Sequence, residues 1–164
     1  MTDHKDAYYL NLAFAVARGS KCLRAHYGTV IVNHGRIVAT GYNGKPPGSI
    51  NDHICYREGL PDNASKPNCC IHSEVNAIIH SAPEERMGAT MYVSGIPCSD
   101  CALVIMGSGI RRLVFYDGPS DTGHRGNSDL EFWRKYGFDQ KIEIVPYTVE
   151  IPEKKTFIPY PPAG

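Results

Sequence analysis

The chain has 164 residues, 42% of them hydrophobic and 21% charged, and Lys plus Arg equals Asp plus Glu at 17 each. This is globular composition in a chain long enough for one domain with its own core, which excludes a disordered protein, and no apolar run reaches the roughly 18–20 residues that cross a bilayer. Zero formal charge argues against tracking a long phosphate backbone, although it leaves room for a local basic patch.

The N-terminal Met-Thr-Asp-His-Lys-Asp lacks signal-peptide architecture, so the expected location is cytoplasmic. In that compartment six cysteines read as metal ligands or free thiols rather than as disulfides. Asp6 to Arg18 carries Leu10, Phe14 and Ala17 at helical spacing, and Gly19 is its stop. A polar stretch, Ser20 to Tyr27, follows. Gly28 to Asn33 is β-branched and predicts a strand. His34-Gly35 then predicts a hairpin turn, and Arg36 to Gly41 the returning strand.

Gly41-Tyr42-Asn43-Gly44 closes that strand. Its glycines let the backbone bend, either as an ordinary turn or to aim two polar side chains into a pocket. Residues 45–69 are rich in Pro and Gly and predict a long loop insertion within the domain, a length usually associated with function. It carries His53 and Cys55 and ends at Cys69-Cys70.

His72 to His80 predicts a helix with Val75, Ile78 and Ile79 on its apolar side, broken by Pro83-Glu-Glu-Arg. Ala89 to Ser94 is the next strand. Pro97 is placed at the first helical position, with Cys98 to Ser108 as the helix and Gly109 as its end. Arg111 to Tyr116 is a strand, and Asp117 to Asn127 a loop. Ser128 to Tyr136 is a helix with Ser128 as N-cap and Gly137 as stop. Lys141 to Val145 is a last strand, and an irregular Pro-rich tail begins near 149. A hairpin followed by alternating helices and strands predicts a single α/β domain over 1–164. Its form is a three-layer α/β/α sandwich around a mixed sheet of about five strands.

Two short motifs carry the chemistry. His72-Ser73-Glu74 and Pro97-Cys98-Ser99-Asp100-Cys101 supply one imidazole and two thiolates. Cys98 and Cys101 stand at i and i+3, on one face of a first helical turn, where free N–H groups favour thiolates. Three protein ligands leave one position of a tetrahedral zinc ion for water, which is the catalytic rather than the structural arrangement. Glu74, two residues past the imidazole, can stand beside that position without ligating and move protons. Read alone, a C-x-x-C pair is as often a structural knuckle or a redox pair.

Taken together, these residues resemble the cytidine deaminase superfamily, whose zinc-dependent nucleobase deaminases carry H-x-E with P-C-x-x-C. They are most similar to the deoxycytidylate (dCMP) deaminases. The resemblance runs from Ser20-Lys21 through Gly41-Tyr42-Asn43-Gly44, His72-Ser-Glu-Val-Asn-Ala77 and Ala89-Thr-Met-Tyr-Val to Pro97-Cys98-x-x-Cys101 and Ser108-Gly-Ile-Arg-Arg-Leu-Val. It implies that His72, Cys98 and Cys101 hold zinc, that Glu74 carries protons, and that Asn43 and the backbone at Ser73 meet the pyrimidine. Ser73 departs from the Ala usual in the middle of His-x-Glu. The resemblance further implies conversion of dCMP to dUMP and ammonia, supplying thymidylate synthesis. It implies a homohexamer activated by dCTP and inhibited by dTTP with Mg2+, with Gly41, Tyr42, Asn43 and Gly44 taking part in effector binding. Some relatives hold a second, structural zinc; here Cys22, Cys70 and His53 or Cys55 are its expected ligands.

Arg24, with Lys21 and Lys45 behind it, is the expected phosphate ligand, and Tyr116 is placed either on the base or in the core. Other substrates of the same chemistry stay open: dCTP, nucleosides, or a tRNA base. So does a non-enzymatic reading, a structural zinc or nucleotide-binding module.

Overall fold

The structure, a computed structural model, describes residues 4–23, 25–50, 54–61, 69–118 and 128–148. Arg24, His53, the 119–127 part of the predicted loop and the tail from 149 lie outside the described residues.

The chain opens with helix α1 (His4–Ala17), followed by the hairpin β1 (Gly28–Asn33) and β2 (Arg36–Tyr42). His34 and Gly35 turn it, with φ of 50° and 73°. Both residues occupy the left-handed region that a two-residue hairpin turn requires. Next come α2 (Ser73–Ile79), the short α3 (Pro83–Arg86), β3 (Thr90–Val93), α4 (Ser99–Gly107) and β4 (Arg112–Tyr116). α5 (Ser128–Lys135), a 3-10 turn at Phe138–Gln140 and β5 (Glu143–Tyr147) complete the described chain.

The strands form one mixed sheet in the order β2-β1-β3-β4-β5. β1 is antiparallel to both β2 and β3, while β3, β4 and β5 run parallel. Side-chain alternation along the strands divides the core into two layers. Ile31, Met91, Leu113 and Phe115 join Ala77, Ala102, Ile105 and Trp133 from α2, α4 and α5. Val30, Tyr92, Val114 and Tyr116 face Leu10 and Ala13 of α1. Both faces of β4 are therefore covered, and that is why Leu113-Val-Phe-Tyr116 is continuously apolar rather than alternating. The predicted three-layer α/β/α sandwich around a five-stranded mixed sheet is the observed fold.

Two local expectations are corrected. Val75, Ile78 and Ile79 were the predicted buried side of α2, but the helix buries Ser73, Glu74 and Ala77, and Ile79 is 62% exposed. The cause is close approach. A Cβ on Gly41 of β2 would lie 2.4 Å from both the Ser73 carbonyl oxygen and the Ala77 nitrogen. Only small side chains fit the helix face that touches Gly41, so Ile79 turns outward, while Val75 and Ile78 stay half-buried and Ile78 packs against the edge of the core. Pro83-Glu-Glu-Arg86, read as a break, is itself the helical turn α3. Pro83 opens it, where its missing N–H is no loss, and the Glu85 carboxylate accepts the Ala82 N–H at 3.0 Å.

α1 is pinned by a polar contact with no local sequence signal. Asp6 is buried and accepts two hydrogen bonds from the Arg112 guanidinium on β4, at 2.7 and 2.8 Å. The Tyr92 hydroxyl on β3 donates to the same carboxylate at 3.0 Å. Among the described residues no helix is long and apolar enough to cross a membrane.

Candidate metal centre and active site

His72 is the N-cap of α2 and Cys98 the N-cap of α4, each in extended backbone conformation and neither making a side-chain capping bond. Pro97, predicted inside the helix, stands just before the cap instead. α2 and α4 start side by side on the same face of the sheet. The start of α2 is fixed through Ile71, which bridges to Gly44 by N–H to carbonyl bonds of 2.7 and 3.0 Å. Asn76 adds a bond from its side-chain amide to the Tyr42 carbonyl at 2.8 Å.

These two helix starts bring three donor atoms together. Among the described residues, His72, Cys98 and Cys101 form a group whose ligand atoms all lie within 4.8 Å of one another. His72 Nδ1 is 3.3 Å from Cys101 Sγ and 3.4 Å from Cys98 Sγ. A tetrahedral zinc with ordinary Zn–N and Zn–S bonds would set such N···S edges at about 3.5 Å. Both N···S edges thus match that tetrahedron, the third edge is under 4.8 Å, and the donor set fits the metal the sequence predicts.

The electrostatics of the thiols follow from their contact. Cys98 is held well below the ordinary thiol range, chiefly because the Cys101 thiol donates to it, with His72 assisting. Cys101 is raised for the same reason, and by burial.

Glu74 stands beside this group and outside it. Its carboxylate is buried, and its charge is felt by His72, Cys98 and Cys101. Burial pushes the carboxyl above its ordinary range; its own backbone N–H, His72 and the Ser73 hydroxyl pull the other way. Ser73 Oγ donates to Glu74 Oε2 at 3.0 Å and lies 2.8 Å from Thr29 Oγ1.

The remaining predicted residues fall in three places. Asn43 is buried and already braces the backbone before β1. Its side-chain oxygen accepts the Tyr27 N–H and its amide donates to the Ala25 carbonyl, both at 2.8 Å. Of the two placements open to Tyr116, the core is the observed one. It is buried in the α1-side layer, with its ring 5.2 Å from that of Phe14, across the sheet from the starts of α2 and α4. Its position on β4 alternates away from Phe115, and this parity puts it in the core.

Cys22, Cys55 and Cys70 come together with Cys69, which the sequence reading had not assigned to a site. All four line a cavity of about 220 Å³ that also borders Tyr42 and Lys45. Cys69 Sγ and Cys70 Sγ are 4.0 Å apart, and burial, with Cys69 and Cys22 close by, pushes the Cys70 thiol up to about 12. Two adjacent cysteines at the end of a loop were the available signal for Cys69. Lys45, a candidate phosphate ligand, gives its ammonium to the Ile54 carbonyl.

Comparison with known proteins agrees with this geometry. A family model described as the cytidine and deoxycytidylate deaminase zinc-binding region matches residues 3–117. The deoxycytidylate deaminase of Mycobacterium phage D29 is 38% identical over 118 residues, covering 67% of this chain and 92% of that protein. That of Enterobacteria phage T4 is 35% identical over 148 residues, covering 68% of this chain and 77% of the relative. The Schizosaccharomyces pombe deoxycytidylate deaminase is 33% identical over 129 residues, which is 73% of this chain but 39% of that longer protein. Among solved structures, the dCMP deaminase of cyanophage S-TIM5 in apo form aligns with a TM-score of 0.67 at 20% identity, over 90% of this chain and 100% of that one. The last is a likeness of fold.

Proposed function

The chain belongs to the cytidine and deoxycytidylate deaminase family, and from that premise we propose how its own residues carry out zinc-dependent hydrolytic deamination of the dCMP type. The observation that carries the reading is the three-donor group of His72, Cys98 and Cys101 with the Glu74 carboxylate beside it and outside it.

The reaction replaces the C4 amine of cytosine by a water oxygen, so one water is consumed and one ammonia leaves. His72, Cys98 and Cys101 would hold the zinc, which when bound would supply Lewis acidity and so a nucleophilic water at neutral pH. Glu74 takes the proton that the water gives up and delivers it to ring N3. It then takes the proton of the new C4 hydroxyl and gives it to the departing amine, leaving a uracil. The backbone N–H of Ser73, at the start of α2, and the Asn43 amide meet the pyrimidine edge. Asn43 keeps a second N–H and a second lone pair after bracing residues 25–27. Arg24 remains the proposed phosphate ligand, followed by Lys21 and Lys45.

The natural substrate in this reading is dCMP, with dUMP passed on to thymidylate synthesis in the cytoplasm. Regulation by dCTP and dTTP with Mg2+ is proposed at the end of β2, a placement supported by the cavity that borders Tyr42, Gly44, Lys21 and Lys45. A second, structural zinc is proposed on Cys22 and Cys70 with Cys55 or His53; Cys69, whose Sγ is 4.0 Å from that of Cys70, borders the same cavity. Assembly into a hexamer is supported by apolar side chains left outside on adjacent helices, Ile79 on α2 and Leu103 on α4.

One assay tests the reading: ammonia release from dCMP, dCTP and deoxycytidine, each with and without dCTP or dTTP as effector. The expected result is release from dCMP above both alternatives, raised by dCTP and lowered by dTTP. Release from deoxycytidine equal to that from dCMP would remove the nucleotide specificity. Elemental analysis giving one zinc per chain would remove the second metal.

A further inference from the structure

We propose that Ser73 and Thr29 are positioning residues for Glu74, a relay of two buried hydroxyls that ties the proton-carrying carboxylate to the middle of the sheet. The inference rests on the reading of Glu74 as the proton carrier and assigns it a support.

Ser73 is fully buried, and its hydroxyl meets two oxygens: Glu74 Oε2 at 3.0 Å and Thr29 Oγ1 at 2.8 Å. A serine has one hydroxyl proton. Given to the carboxylate, that proton cannot also serve Thr29, so the second bond must carry the proton of Thr29. The relay therefore has one direction, Thr29 to Ser73 to Glu74.

Its far end is rigid. Thr29 is β-branched, fully buried, and paired on both sides within the sheet, with Gly41 of β2 and Val93 of β3. The same register explains why the relay can form. Gly41, directly opposite Thr29, lacks the side chain that would push α2 away, since a Cβ there would fall 2.4 Å from the Ser73 carbonyl oxygen. The missing methyl group brings the helix start down to where two short side chains touch.

The consequence for Glu74 is geometric. One carboxylate oxygen is anchored, and the other is left for the transfers to water, N3 and amine. A carboxylate free to turn could swing onto the metal or away from the base. One that accepts a fixed hydrogen bond stays in the arrangement the transfers need, and orientation of this kind acts on the chemical step rather than on substrate binding. Ser73 supports the substrate through its backbone and Glu74 through its hydroxyl, so an alanine at 73 would keep the first role and lose the second.

The test uses zinc-loaded enzyme and dCMP. Ser73→Ala is expected to keep the metal content and a KM within about twofold while kcat falls about 10- to 100-fold, the worth of a hydrogen bond to a charged group. Thr29→Val should lower kcat in the same sense, and Thr29→Ser, which restores a hydroxyl, should recover most of it. In a Glu74→Gln background, Ser73→Ala should cost nothing further in single-turnover rate. Wild-type kcat in Ser73→Ala overturns the inference, as does an equal loss with and without Glu74. If Ser73→Ala does not fold, the Thr29 pair decides, and equal kcat in Thr29→Val and Thr29→Ser overturns the relay. A near-normal rate for Glu74→Gln alone would instead remove the proton-carrier reading, whatever the Ser73 variants do.

Discussion

Gly41 and Ser73 are in direct backbone contact: a Cβ on the glycine would lie 2.4 Å from the serine carbonyl oxygen. The helix that begins with Ser73 therefore rests on bare backbone, and the imidazole of His72 is placed by that seating. Gly41→Ala is expected to lift α2, because the opposing atoms are backbone and cannot turn aside. The cost is about 1–3 kcal/mol of stability, as for other overpacked sites, together with weaker zinc retention. Urea midpoints and zinc content after dialysis against a mild chelator read the two effects. Unchanged values in both would show that α2 is not held by this contact.

The roles of Glu74 and Cys98 separate cleanly. Glu74→Gln keeps all three donor atoms, so zinc should remain while kcat falls about 100- to 10,000-fold, the range for removing a general acid–base group. Cys98→Ala removes a donor, so metal and activity should leave together. Metal analysis beside ammonia release distinguishes them. A Glu74→Gln enzyme that lacked zinc would make the carboxylate a ligand.

The Asp6–Arg112 pair lies far from the metal and should act on stability alone. Asp6 is 3% exposed and Arg112 22%, so removing the carboxylate leaves the guanidinium its exposed partner Glu143, at 3.1 Å, and takes the acceptor from the buried Tyr92 hydroxyl. Asp6→Ala is expected to cost about 3 kcal/mol, or roughly 10 °C in melting temperature for a chain of this size. Zinc content at low temperature should not change. A melting temperature within a degree or so of the parent would place this pair among surface ion pairs of little worth.

Tyr92 gives the fold an alkaline limit. Its phenol is raised above the ordinary value, first by burial and then by donation to Asp6 and the charge beside it. A group whose proton affinity is raised in the folded state stabilises that state below its unfolded pKa, here about 10, and the contribution is lost as pH rises further. Denaturant midpoints should fall above about pH 10, and Tyr92→Phe should flatten that fall. Parallel curves for parent and variant would assign the alkaline loss to other groups.

Much of this was legible in the chain because it is local. A β-branched run marked β1 and an apolar run marked β4, the left-handed preference of Gly35 marked the hairpin, and the i, i+3 spacing of Cys98 and Cys101 put both thiols on one turn. What was not legible depends on distant partners. Asp6 carries no local sign of burial, because Arg112 is 106 residues away. The Ser73 hydroxyl has no partner visible in the sequence, because Thr29 reaches it only when two strands and a helix are assembled. The outward turn of Ile79 reverses a sound periodicity argument, because the packing limit at Gly41 belongs to another element. Cys69 joined the thiol cavity through loop geometry, which periodicity does not describe.

His72 and Cys98 occupy the cap positions of their helices, where Ser, Thr, Asp or Asn would ordinarily quiet the exposed amides of the first turn. Neither does so here, and both side chains turn toward the third donor instead. The two helices thus begin at frayable ends that a metal bound to both caps would hold shut. Stripping the ion should loosen these first turns before the sheet yields, and the first turns carry Glu74 and Cys101. Demetallation would then cost the enzyme its proton carrier's footing as well as its Lewis acid, and amide exchange at residues 73–76 and 99–102 would quicken ahead of the strands.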